Sequence, residues 1–202
     1  RGYSVVLLSQ ILRGFTVPLY GKARLSTSDL VAGLEAGSAM AYKAMSHPVE
    51  GTILTVMREA AEAAKQAADS DDMNKIIEAI TASARESVAR TPEQLDTLRE
   101  AGVVDAGGLG LYVIFEGFLK HLRGETIPAE AAATFTSIPA AEFQGSEEAY
   151  GYCTEFAIEG YDLDPVAIRK RLEEIGKSVM VVKQDVLVKA HVHTFEPDEA
   201  LG

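Results

Sequence analysis

The stretch Tyr150–Gly160, YGYCTEFAIEG, decides the fold. Tyr150, Tyr152, Thr154, Phe156 and Ile158 recur at every second position, the period of a strand whose side chains alternate between two faces. Cys153 and Glu155 take the opposite parity. Further along, Asp164-Pro165 starts a helix that carries Ile168, Leu172 and Ile175 along one side. VMVV at 179–182 reads as a buried strand, and Val186 to Thr194 as another. The order β-α-β-β predicts a small α+β domain over 149–202, with its helix covering one face of an antiparallel or mixed sheet.

Towards the N-terminus the pattern changes twice. Residues 125–148 contain Pro128, Pro139 and the run PAEAAATF without a sustained period, which predicts a linker holding at most a short helix. Residues 1–124 follow a helical period instead. Val31, Leu34, Ser38, Ala41 and Met45 recur at three- and four-residue spacing, as do Met73, Ile76, Ile77, Ile80, Ala84 and Val88. Thr52 to Ala68 is alanine-rich and favours helix. Thr91-Pro92-Glu93-Gln94 has the form of a capping box with proline at the first helical position, so a short helix is predicted to begin there and to stop at Gly102. A last helix runs through Leu111, Phe115, Phe118 and Leu122 to Gly124. The expected architecture is an all-α antiparallel helical assembly followed by the small α+β domain.

Composition narrows the function classes. The 202 residues carry a net charge of −11, which argues against nucleic acid or an anionic membrane as partner, because both require clustered Lys and Arg. Cys153 is the single cysteine, so no internal disulfide forms, which fits a cytoplasmic location. No stretch is long and apolar enough to span a membrane.

Cysteine and histidine carry the first candidate chemistry. In KAHVHT, His191 and His193 stand two apart on a strand and share a face with Lys189, while Val188, Ala190 and Val192 take the other. The histidines are thus expected on the polar side of the sheet, away from the core. Cys153 has the corresponding parity on its own strand. If the strands are neighbours, a thiol and two imidazoles converge, three ligands of the types zinc prefers. An exposed histidine pair with an unrelated cysteine is the other reading. A closed site would need a fourth protein ligand, for which nothing stands out beyond Glu155.

Glycine-rich turns are weaker signals. GKS at 176–178 lacks the earlier glycine of a phosphate-binding loop, Arg171 standing in its place, and reads as a turn after a helix. DAGGLG at 105–110 lacks the third glycine of the dinucleotide fingerprint, but it precedes a helix whose N–H groups can meet an anion. In HPVEGTILTV (47–56), Thr52 and Thr55 suit capping at least as well as ligand contact.

Taken in order, GYSVVLLSQILRGF, HPVEGTILTVMREAAEAA, TPEQLDTLREAGVVDAGGLGL, YGYCTEF and VKAHVHTFEP resemble the ATP-binding subunit of bacterial fatty-acid kinase. Its first domain is similar to the nucleotide-binding domain of dihydroxyacetone kinases. The resemblance implies a barrel of antiparallel helices, incomplete here at its N-terminus, that holds ATP at one end, and a middle domain that binds zinc. Carried onto this sequence, it places Gly2, Ser4, Gly51, Thr52, Thr55, Asp105, Ala106, Gly107 and Gly108 around the nucleotide. Cys153, His191 and His193 become the metal ligands. Tyr3 and Val5 stand where the family has Asn and Gly. The family's Mg²⁺-binding loop, Asp-Gly-Asp-Thr-Gly, belongs upstream of residue 1; Asp71-Asp72 lies between helices and does not match it. The chain is therefore expected to be a piece of a kinase subunit, inactive alone, whose parent phosphorylates a fatty acid held on a separate carrier protein. A homodimer is a further expectation. Two alternatives are a zinc-binding interaction module with a degenerate nucleotide domain, and a dihydroxyacetone-type kinase.

Overall fold

The computed structural model describes residues 3–69, 72–125 and 151–201. Gly2, Asp71, Tyr150 and nearly all of the expected linker at 125–148 lie outside the described residues. Helices α1 (Tyr3–Thr16), α2 (Thr27–Ala44), α3 (Ile53–Gln66), α4 (Met73–Gln94), α5 (Asp96–Ala101) and α6 (Ala106–Leu122) come first, with a short 3₁₀ turn at Val17–Leu19. Strand β1 (Tyr152–Glu159), helix α7 (Pro165–Ile175), strands β2 (Lys177–Gln184) and β3 (Leu187–Thr194) and a final turn α8 (Pro197–Leu201) follow. A helical part precedes a small α+β part in the expected β-α-β-β order.

Two compact units result. One holds residues 3–41 and 49–125 of those described; the other holds 42–48 and 151–201. In the first, α3, α4 and α6 pack on one another through Leu54, Met57, Ile76, Ile80, Leu111 and Phe115, all buried. An apolar cavity of about 120 Å³ opens beside them, lined by Leu8, Ile11, Leu34, Ile77 and Phe118 among others. Among the described residues no polar side chain lines it, so they offer nothing there to orient a charged substrate.

Helix ends follow local chemistry, with one departure from expectation. Ser26 and Asp29 form a reciprocal capping box at the start of α2: the Ser26 hydroxyl accepts from the Asp29 N–H at 3.2 Å, and the Asp29 carboxylate accepts from the Ser26 N–H at 3.0 Å. Thr91-Pro92 was expected to do the same for a new helix. Instead α4 runs through both residues to Gln94, and α5 starts only at Asp96. Pro92 has no N–H for the Val88 carbonyl four residues back, and the Thr91 hydroxyl donates to that carbonyl at 2.7 Å in its place. Thr91 is fully buried, whereas a cap sits at an open end. Gly102, at φ 66°, ends α5 as expected.

The sheet is antiparallel throughout, in the order β1-β3-β2. Val179 and Val181 of β2 and Val188, Ala190 and Val192 of β3 form the core under Leu172 of α7, with Phe156 of β1 packed against it. GKS is not a turn: Gly176 is extended, and Lys177 and Ser178 open β2 with an irregular pairing at which Ser178 takes φ 57°. The outer edge of β2 is closed by residues from the helical stretch of sequence. Met45 bridges to Met180, the Ser46 hydroxyl donates to the Val179 carbonyl at 2.9 Å, and Arg169 donates to the carbonyls of Ala44 and Val181.

Candidate functional site

Strand pairing builds the Cys/His cluster. In the β1–β3 register Cys153 lies opposite His193, and Glu155 opposite His191. All four therefore project from the same face, the one turned away from α7. One ligand atom from each of Cys153, His191 and His193 falls within 4.8 Å of the other two. Bonds of about 2.0–2.3 Å in a tetrahedral shell put zinc ligands roughly 3.5 Å apart, so small side-chain rotations complete the arrangement. The His rings stand 5.0 Å apart between centroids.

The two histidines are not alike, and His191 corrects the expectation that both lie away from the interior. Its side chain is 3% exposed, flanked across the strands by Glu155 and Met180. Lys189, two residues back on the same face, is exposed as expected. His193 is partly buried; burial first, and then the charge of neighbouring His191, push its pKa below the usual histidine value. A depressed pKa keeps the ring neutral near pH 7, the form that binds a metal. Cys153 is exposed, which leaves one side of the cluster open to solvent. Glu155 hydrogen-bonds His191 Nδ1 at 2.9 Å and stands outside the mutually close trio. The donor set, one thiolate and two imidazoles with an open side, fits zinc by its chemistry.

A second constellation lies in the helical unit, where three helix N-termini meet. A Cβ placed on Gly107 of α6 would come 2.9 Å from Ser4 Oγ at the start of α1 and 3.3 Å from Ile53 Cβ at the start of α3. Such ends carry partial positive charge and unpaired N–H groups, which favours an anion. Asp105 sits among them. Its carboxylate accepts from the Gly108 N–H at 2.6 Å, and the N–H groups of Ile53 and Gly107 also bond it. Burial nevertheless raises its pKa above the usual carboxylate value, outweighing the lowering by those three N–H groups.

The remaining nominated residues have local duties. Thr52 caps α3, accepting from the Leu54 N–H at 3.3 Å and donating to the Val49 carbonyl at 2.7 Å. Thr55 is fully buried; its hydroxyl accepts from the Gly51 N–H at 2.8 Å and donates to Glu50 at 2.7 Å. Gly51 takes φ 78°, a conformation that disfavours side chains, and rests against Thr91, Gln94 and Leu95. Gly108 is a close-approach glycine: a Cβ there would come 2.7 Å from Val56 Cγ2. Ala106 is exposed at the first turn of α6. Sequence reading overlooked Thr91, whose hydroxyl accepts from the Asp105 N–H at 3.0 Å and so ties the 105–108 turn to α4. The only available signal was a threonine beside a proline, and that signal pointed to a cap.

Comparison with known proteins covers both units. The family described as "DAK2 domain" matches residues 1–120, and the FakA-like middle-domain family of fatty acid kinase matches residues 149–202. The chain is 39% identical over 216 residues to "Protein YloV" of Bacillus subtilis (strain 168), and 41% identical over 214 residues to an uncharacterized protein of Staphylococcus haemolyticus. All of this chain is covered in both comparisons, against 39% of each relative. The chain thus spans about two-fifths of the length of these curated relatives.

Proposed function

The chain belongs to the DAK2-domain family, with a FakA-like middle domain of fatty acid kinase behind that domain, and from this premise we propose that it is part of an ATP-dependent fatty-acid kinase subunit. The parent protein transfers the γ-phosphoryl group of ATP to a fatty-acid carboxylate held on a separate carrier protein. An oxygen of the carboxylate attacks the γ-phosphorus, the bond to the bridging oxygen breaks, and acyl phosphate and ADP leave. The organisation proposed is a nucleotide-binding domain over 1–124, a linker over 125–148 and a metal-binding domain over 149–202.

The observation that carries this reading is the Cys153–His191–His193 cluster on the middle-domain sheet, since a sugar-phosphorylating kinase of the same first-domain family has no use for it. In the proposed nucleotide site, Ser4, Ala106 and Gly107 stand nearest the phosphates, where the N-termini of α1, α3 and α6 supply positive potential. Gly51, Thr52 and Thr55 shape the loop that closes one wall. Asp105 and Gly108 hold α6 against α3. Phosphoryl transfer depends on positioning and on Mg²⁺ neutralising the phosphates; no ligand for that ion is assigned among these residues. Cys153, His191 and His193 would hold zinc, which supplies Lewis acidity or local rigidity to the middle domain.

The test is a transfer assay with the full-length protein that contains this chain, given ATP, Mg²⁺ and fatty acid loaded on its carrier. Acyl phosphate, trapped as the hydroxamate by hydroxylamine, is the expected product. Phosphorylation of dihydroxyacetone in preference to the loaded carrier overturns the assignment. A second reading, a metal-binding interaction module with a degenerate nucleotide domain, draws on Asp105, whose carboxylate already occupies N–H groups that a phosphate would use. Titration of the full-length protein with Mg·ATP separates the two, since tight binding leaves the second reading no ground.

A further inference from the structure

Zinc held by three protein ligands keeps a position for water, whereas four close the site and leave the metal a structural duty. Which applies here depends on what borders Cys153, His191 and His193. The β1–β3 register sets Cys153 opposite His193 and Glu155 opposite His191, so the four residues form one block of neighbours on one sheet face. Three of its corners are the mutually close trio. The fourth is a carboxylate. Beyond the block, the next positions on that face are Ala157 and Lys189, and β2 pairs Lys177 and Met180 with the two histidines. None of these is a thiolate, imidazole or carboxylate, the groups that bind zinc.

Distances converge on one nitrogen. His191 Nδ1 lies 3.9 Å from Cys153 Sγ and 2.9 Å from Glu155 Oε1. Neighbouring ligand atoms around a tetrahedral zinc stand roughly 3.5 Å apart, a spacing that these two separations bracket. Nδ1 therefore faces the thiol and the carboxylate together. The Glu155 side chain is 52% exposed, and Cys153 is open to solvent as well. A carboxylate on a two-methylene stem has room there to turn from His191 towards the trio.

We propose that Glu155 is the fourth ligand of a closed metal site, beside Cys153 Sγ, His191 Nδ1 and a ring nitrogen of His193. This rests on the metal-centre reading given above and decides between the two duties named there, rigidity rather than Lewis acidity. As the ion enters, Cys153 gives its thiol proton to solvent and His191 binds as the tautomer with Nδ1 unprotonated. Thiolate and carboxylate together cancel the charge of Zn²⁺, which suits an ion bound beside the buried His191.

The experiment titrates the metal-free 202-residue chain with Co²⁺ and displaces it with Zn²⁺; azide then probes the Co²⁺ protein for an exchangeable position. Wild-type protein is expected to show thiolate-to-cobalt charge transfer and tetrahedral d–d bands that azide leaves unmoved. Glu155→Ala should keep the charge transfer, gain d–d bands that shift with azide, and bind both metals at least about 10-fold more weakly, the loss that removing a merely orienting group already causes. Glu159→Ala removes an exposed carboxylate from the same face of β1 outside the block, and should match wild type in every readout. Far-UV circular dichroism should show the sheet intact in both apo variants. A wild-type spectrum that shifts with azide overturns the inference without recourse to any variant. So does a Glu155→Ala protein whose bands ignore azide or whose affinity stays within about twofold of wild type. A Glu159→Ala protein as weak as Glu155→Ala also overturns it, since the effect is then one of general charge. A wild-type chain with no Co²⁺ spectrum overturns the metal-centre reading, and this inference with it.

Discussion

At the residue scale, single side chains close local accounts that their neighbours cannot. Asp29 accepts from Lys22 and from the Ser26 backbone at the start of α2, and these bonds, Lys22 first, lower its pKa from 3.8 to about 2. A folded pKa below the unfolded value means that the contribution is fully present above about pH 4 and disappears as pH falls through about 2. The carboxyl titration of Asp29, followed by NMR, should therefore have its midpoint near 2 and move towards 3.8 in Lys22→Ala. Thr91 has a heavier duty because it is fully buried. Its one hydroxyl serves the Val88 carbonyl that Pro92 abandons and the Asp105 N–H that anchors the 105–108 turn. Thr91→Val keeps the shape and removes both bonds, leaving a buried donor and acceptor unmet. We expect a loss of about 2 kcal/mol in urea denaturation, with unchanged m-value.

At the element scale, β3 is the organising strand: it is the central one, it supplies both histidines, and it faces α7 with the alternate residues Val188, Ala190 and Val192. The parity of Cys153, His191 and His193 was readable in the sequence because a strand has a period of two and any register keeps a residue on its face. Which residues stand opposite one another was not readable, since pairing depends on where the strands meet. Hence the Glu155–His191 bond, which follows from register alone, came only with the structure. The same limit explains the Thr91 misreading: the letters Thr-Pro describe a helix start equally well as a last turn that runs through proline. Gly176 tests how tightly β3 is held. A Cβ there would run into Val192 Cγ2 and come 2.6 Å from the His193 carbonyl oxygen. Gly176 is extended, so alanine suits its backbone and fails only on space. Gly176→Ala should push the end of β3 aside, cost about 1–3 kcal/mol as an overpacked contact, and weaken Co²⁺ binding through the displaced His193. Unchanged Co²⁺ affinity in a destabilised variant would separate the metal centre from this contact.

At the scale of the whole molecule, the sequence shows a change of period near residue 149, yet the structure does not divide the chain by position alone. Residues 42–48, where the helical spacing ends at Met45, belong by contact to the sheet unit, where Met45 and Ser46 bond to the β2 residues Met180 and Val179. Periodicity reports how a segment coils, not which core it joins, and so this assignment lay beyond sequence reading. The convergence of α1, α3 and α6 at Gly107 was hidden for a related reason, because Ser4, Ile53 and Gly107 are far apart in the chain and adjacent only after packing. Each unit has its own buried core, Leu54, Met57, Ile76 and Ile80 in one and Val179, Val188 and Val192 in the other. The candidate metal ligands all lie in the second. A ligand stabilises only the structure that must unfold to release it, by about 2.7 kcal/mol at a free concentration of roughly 100 times its Kd. Calorimetry of the metal-free chain should therefore show two transitions, and added Zn²⁺ should raise the one that tracks loss of the sheet while leaving the helical one in place. A Cys153→Ser chain should show the same two transitions with neither responding to Zn²⁺. If Zn²⁺ raises both transitions together in the unaltered chain, the two cores unfold as one cooperative body, and the metal then reports on the helical unit as well.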